Sequence, residues 1–214
     1  MQTNIKFAVS KNSRILALFA ICCTGVVGLV NELTKDRIQI QEQRQLLATL
    51  NSIIEPSKYN NDIALDCIAI SAPELGSSEE QTAYIARMDD SPVAVALTAI
   101  APNGYNGKIE ILVAVNIDGS VSGVRVLKHQ ETPGLGDKIE LRKSQWINSF
   151  SGKSMTSDTD SRWQVVKDGG MFDQFTGATI TPRAVVKAVK QTAIYFNNNQ
   201  QALLSLPNQC GLPE

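Results

Sequence analysis

The sequence predicts an α+β protein: an N-terminal transmembrane helix and a helical stalk, then a mixed or antiparallel sheet domain with flanking helices. Three observations carry this. Residues 15–31, ILALFAICCTGVVGLVN, contain no charge. After Pro56 the apolar period falls from helical toward two, with turn residues between the runs. After Pro182 a helical period returns.

The uncharged run has seventeen residues, at the short edge of the roughly 17–25 that a spanning helix needs. Arg14 can snorkel and extend it. Lys6, Lys11 and Arg14 precede it with no acidic residue, whereas Glu32, Lys35, Asp36 and Arg37 mix the signs behind it. That asymmetry puts residues 1–14 in the cytoplasm, a transmembrane helix at 15–34, and everything downstream outside. A cleaved signal peptide has similar parts, but no A-x-A-like site closes the run. Lipoprotein processing before Cys22 or Cys23 would follow Ile21 or Cys22, neither of them small. A buried core helix fits the charge asymmetry poorly. The expectation is an uncleaved single-pass anchor.

Residues 35–55 keep a helical pattern through Ile38, Leu46, Leu47, Leu50 and Ile53, read as a stalk helix, and residues 56–214 form the exported domain. Its strands are read in IALDCIAI, TAYIARM, PVAVALTAI, KIEILVAVN and SVSGVRVLK, with a sixth, short one in RWQVV. Asp118-Gly119 is the strongest hairpin signal. SQWINSF reads as a short helix. The last long helix runs from Pro182 to about Asn198, with Thr181 as N-cap, Pro182 at N1 and Val185, Val186, Val189, Ala193 and Phe196 as its apolar face. The tail adds a short helix and a loose end.

Composition excludes little, at 43% apolar, 19% charged and net charge −1, but shows no basic stripe for nucleic acid. Of four cysteines, Cys22 and Cys23 lie in the apolar run. An oxidising compartment permits a disulfide between Cys67 and Cys210, the alternative being two separate buried thiols. No C-x-x-C pair supports a metal site.

The chemistry concentrates in DGGMFDQFTGATITPRAVVKAVK, residues 168–190, where Thr176, Thr179 and Thr181 fall within six positions. Capping and turn formation explain Thr181, and Thr176 with Gly177. A helix N-terminus also favours an anion, Gly169, Gly170 and Gly177 allow close backbone approach, and Lys167 offers a point charge. The residues alone give only a weak phosphate site.

Asp173–Thr179, D-Q-F-T-G-A-T, resembles the flavinylation motif D-x-x-S/T-G-A-T/S of FMN-binding domains in respiratory complexes. His129–Gly136, H-Q-E-T-P-G-L-G, resembles the E-T-P-G-L-G loop of the same family, about 45 residues upstream as that family has it. With the anchor and the motif order, nearly the whole chain is similar to the G subunits of Rnf-type electron transport complexes.

The resemblance implies an FMN-binding region at about 95–198. It implies FMN joined by its phosphate to the Thr179 hydroxyl by a flavin transferase, with Asp173, Thr176, Gly177, Ala178 and Thr181 around it. In the other loop Pro133 and Gly134 would form a turn, Leu135 and Gly136 would approach the ring, and Glu131 and Thr132 would bind its polar edge. It implies an electron-carrying subunit, not a complete enzyme, anchored in the bacterial inner membrane with its main domain in the periplasm. By the same resemblance, its partners would be the other subunits of a complex that couples ferredoxin and NAD electron transfer to ion movement. The C subunits of sodium-translocating NADH:quinone reductases share both motifs and the anchor and are the alternative family. A non-redox exported module that binds a phosphorylated ligand, or a scaffold, is the alternative class. His129, the single histidine, reads as structural, and Trp146 and Trp163 as core.

Overall fold

The computed structural model describes residues 2–210. They fall into two compact units, one ending at Gln45 and the other starting at Leu46. Helix α1 (Gln2–Ile53) supplies the first unit and opens the second. Its segment Asn12–Lys35 has a mean hydropathy of 2.1 and no buried residue, as a lipid-facing surface requires. At 1.5 Å per residue it reaches roughly 36 Å, enough for a hydrocarbon core of about 30 Å. Among the described residues this is the one helix long and apolar enough to cross a membrane.

In the second unit five antiparallel strands follow one another as neighbours: β1 (Cys67–Ala72), β2 (Ser77–Met88), β3 (Ser91–Gly104), β4 (Gly107–Asn116) and β5 (Val121–Lys128). No pairing in the sheet is parallel. The Asp118-Gly119 turn joins β4 to β5, with Gly119 at φ 82° and the Asp118 carboxylate accepting from the Ser120 N–H. Asp89 and Asp90, at φ 48° and 64°, make the tight turn from β2 to β3. Both occupy a left-handed region that Asp tolerates better than most residues.

The central strands are apolar on both faces because both are covered. Val95, Leu97, Ala99, Ile109, Ile111 and Val113 pack toward helix α2 (Ile180–Ser205), which brings Val185, Val189, Ala193 and Phe196. On the other face Leu50, Ile53 and Ile54 at the end of α1 cover Ala94, Ala96, Leu112 and Ala114. Leu50 and Ile53 of the expected stalk are thus core of the second unit, with Leu46 and Leu47 packed against them. Ser122 Oγ and Arg125 donate to the Ile53 and Ser52 carbonyls, which satisfies carbonyls that the helix end leaves free. Gly123 permits the contact, since a Cβ there would come 2.9 Å from Ile53 Cβ.

The expected elements are corrected at two places. RWQVV is not a sheet strand: residues 162–166 pair locally with 170–172, through Met171 N–H to Arg162 O (2.9 Å) and Val166 N–H to Phe172 O (2.7 Å). This loop, with its isolated parallel bridge between Val165 and Phe172, turns inward so that Trp163 and Phe172 join Phe150 in an aromatic cluster. SQWINSF, by contrast, forms the expected short helix, of 3₁₀ type over Gln145–Phe150 and capped by Ser144. Helix α2 begins at Ile180, not Pro182, and runs unbroken to Ser205, absorbing the expected separate tail helix. Past it, Gln209 N–H donates to Cys67 O and Asn208 Oδ1 accepts from Cys67 N–H, so the tail lines the edge of β1. The Cα atoms of Cys67 and Cys210 are 5.3 Å apart, within disulfide range.

Candidate functional site

Strand β5 hands the chain to the ETPGLG loop at His129. The Glu131 N–H donates to His129 Nδ1 at 3.0 Å, so Nδ1 is the acceptor and Nε2 carries the proton toward Glu140 Oε1 at 2.7 Å. Arg142, bonded to the same carboxylate, is the main cause holding the Glu140 carboxyl below its ordinary value, with His129 adding to it. This half-buried histidine braces the loop. Thr132 to Leu135 then form a turn, with Gly134 at φ 78° and the Leu135 and Gly136 N–H groups both donating to Thr132 O at 3.1 Å. Pro133 and Gly134 therefore shape the loop as expected.

Glu131 is buried, and its carboxylate ties three segments together. Oε1 accepts from the Asn106 N–H in the β3–β4 turn at 3.1 Å, and Oε2 accepts from the Thr181 hydroxyl in the first turn of α2. Gly136 closes over this junction: a Cβ there would lie 2.7 Å from Glu131 Oε2 and 2.8 Å from Thr181 Oγ1. Thr181 is accordingly not the N-cap. It is fully buried inside the helix, and the N-cap position falls two residues earlier, on Thr179.

The three threonines have different surroundings. Thr176 is exposed in a turn where Gly177 takes φ 81° and Ala178 N–H donates to Phe175 O. Thr179 is half-buried and its side chain makes no capping bond, so its hydroxyl and the first N–H groups of α2 remain available together. Gly177 and Leu135 meet across the two motifs, with Leu135 Cδ2 3.7 Å from where a Gly177 Cβ would stand.

Between them lies a cleft of ≈270 Å³. Of the expected residues, Glu131, Thr132, Leu135, Gly136, Gly177, Ala178, Thr179 and Thr181 line it. Pro133, Gly134, Thr176, Asp173 and Lys167 do not. Asp173 is exposed, its carbonyl accepting the Trp146 indole N–H at 2.8 Å, and Lys167 lies in a separate turn bonded through its N–H to Gln174. Two lining residues escaped the sequence reading, Tyr105 and Ile180. The N-G-Y-N-G-K turn was a visible signal for the first, but nothing in it points to a site 74 positions downstream.

A larger groove of ≈460 Å³ runs beside α2 near Asp168 and Arg183. These two form a bidentate pair at 2.6 Å, and the Arg183 hydrogen bond lowers the Asp168 pKa. Neither motif contributes the residues of this groove apart from the shared helix, so the smaller cleft is the better candidate.

Comparison with known proteins gives two family matches. Residues 104–193 match the FMN-binding domain family, and residues 1–53 match the RnfG N-terminal region. The chain is 54% identical over 204 residues to the G subunit of the ion-translocating oxidoreductase complex of Vibrio atlanticus, covering 95% of this chain and 98% of that one. It is 52% identical over 201 residues to the protein of the same name from Shewanella oneidensis, covering 94% and 95%. The Vibrio cholerae protein of that name is 51% identical over 203 residues, covering 95% and 97%. The N-terminal match separates the two families that share the motifs, in favour of the ion-translocating oxidoreductase over the quinone reductase.

Proposed function

Because this chain belongs to the G-subunit family of ion-translocating oxidoreductase complexes, we propose how it carries its flavin: covalently, through a phosphoester to Thr179. The chain is a membrane-anchored FMN electron-carrier subunit of an Rnf-type complex. The observation behind the covalent reading is the convergence of both motif segments on one cleft, with the Thr179 hydroxyl uncommitted at the start of α2.

The residues fit the group. Thr179 supplies the ester oxygen, and the free N–H groups and dipole of α2 favour the phosphate's negative charge. Gly177 leaves room for close approach, and Leu135, Ala178 and Ile180 offer apolar surface to a ring. Glu131 acts by positioning, since both its oxygens already bind protein donors. FMN supplies one- and two-electron redox chemistry when bound, and the domain holds and orients it. A phosphoester cannot dissociate, which suits a carrier placed away from the cytoplasmic flavin pool. Threonine suffices as acceptor because a flavin transferase provides the catalysis in this reading, and the exposure of Asp173 supports a role for it in recognition by that enzyme.

In this reading the N-terminus is cytoplasmic, the second unit is periplasmic, and Cys67 and Cys210 are bridged. The flavin passes electrons between neighbouring subunits of a complex that couples ferredoxin and NAD to ion movement. The test is direct: protein from a native host, denatured and run on a gel, should fluoresce as flavin under ultraviolet light. A dark band would overturn the covalent assignment.

A further inference from the structure

We propose that Tyr105 is the aromatic wall against which the flavin ring of the attached FMN stacks. The inference rests on the covalent-FMN reading and adds a contact that neither motif contains. Tyr105 is the sole aromatic among the residues lining the cleft, and it is 68% exposed. Its hydroxyl takes part in none of the described hydrogen bonds.

An exposed tyrosine on a loose loop would mean little, but this turn is pinned. Asn106 donates through its N–H to the buried Glu131 carboxylate (3.1 Å) and through Nδ2 to the Gln130 carbonyl (2.7 Å). Gly104 sits so tightly that a Cβ there would come 2.3 Å from the Gly107 carbonyl oxygen. Glu131 also holds Thr181, so the carboxylate that fixes the Tyr105 turn fixes the start of α2, two residues from Thr179.

The remaining walls match. Leu135 and Ile180 also line the cleft and are 42% and 46% exposed. Single exposed apolar side chains need no explanation, but three around one cleft do. A planar, largely apolar ring with polar edges satisfies all three. At ≈270 Å³ the cleft falls just under the roughly 300–1,000 Å³ usual for enclosed ligand sites. A tricyclic flavin would therefore emerge from it, leaving one edge open for electron exchange and one face needing support at the mouth, where Tyr105 stands.

Stacked tyrosine has its own optical signature. The excited flavin takes one electron from the phenol and charge recombination returns it, so fluorescence is quenched with no net reaction. Phenylalanine keeps the stack but gives up an electron far less readily. Trp146 and Trp163 do not line the cleft. The experiment measures fluorescence lifetime and flavin-to-protein ratio on full-length protein, matured in its native host and solubilised in detergent. Tyr105→Phe and Tyr105→Leu are compared with wild type and with Tyr84→Phe, a control on the α1-covered face of the sheet. The proposal expects a short wild-type lifetime, unchanged in Tyr84→Phe and severalfold longer in both Tyr105 variants at unchanged flavin content. Full flavin content with an unaltered lifetime in Tyr105→Phe and Tyr105→Leu would overturn the Tyr105 contact and leave the covalent site standing. Wild type with no attached flavin would overturn the covalent site itself, and the contact with it.

Discussion

Thr181 and Glu131 meet in the interior, the threonine hydroxyl donating to a buried carboxylate 50 positions away. The sequence motifs put these residues in separate segments; the hydrogen bond makes them one site. Thr181→Val removes the donor and leaves the Glu131 Oε2 atom without its partner. A loss of about 1–3 kcal/mol follows from leaving a buried acceptor unsatisfied. Chemical denaturation of the detergent-solubilised chain reads it. Flavin attachment at Thr179 should survive, because Thr181 is not the acceptor. A variant as stable as wild type would contradict the latch.

Two glycines in the same loop should behave differently. Gly136→Ala drives a Cβ into Glu131 Oε2 and Thr181 Oγ1; it should lower stability as Thr181→Val does and, because Gly136 backbone itself lines the cleft and must shift, reduce flavin content as well. Gly134→Ala meets open space and carries only the strain of φ 78°, roughly 1–2 kcal/mol. Flavin content per chain and denaturation midpoints separate the two, and equal effects would contradict the packing argument.

Cys67 and Cys210 close a sequence separation of 143, which places a bridge among the long loops. Replacing both by serine should cost about 4–5 kcal/mol in the chain-entropy account. A melting temperature that falls on adding reductant to wild type, and does not fall in the double serine variant, is the expected pattern. Insensitivity of wild type would mean two free thiols.

Asp160 organises the loop before Trp163: its carboxylate accepts from the Thr156 N–H and hydroxyl and pairs with Arg162. The Arg162 hydrogen bond is the largest cause holding its pKa well below the ordinary 3.8, against the opposing effect of burial. A depressed folded pKa contributes stability that is complete above 3.8 and is lost as pH falls toward the folded value. The stability gap between wild type and Asp160→Asn should therefore be widest near neutrality and shrink below about pH 4. A gap that widens on acidification would contradict this sign.

Much of this was legible in the residues. Alternating runs gave five strands in order, and the Asp118-Gly119 turn fell between the last two. The apolar run gave the membrane helix, because lipid demands an uncharged surface of fixed length. RWQVV misled because Trp163 and Val165 alternate inward as in a strand, yet the chain doubles back at Gly170, where a Cβ would stand only 2.0 Å from Gln164 O. Thr181 misled because threonine before proline reads locally as a cap, whereas its partner Glu131 is visible only once the loops meet. Tyr105 was hidden for the same reason: its relation to Thr179 exists through Glu131 and in no short window of sequence.

Mass mapping of the peptide that spans Asp173–Thr181, from protein matured in its native host, tests the central claim most directly. The account predicts a mass increment equal to FMN less one water, localised to Thr179. It should be absent from Thr179→Val and retained in Thr176→Val. An unmodified peptide from fully matured wild-type protein, or an increment that persists in Thr179→Val, would contradict it.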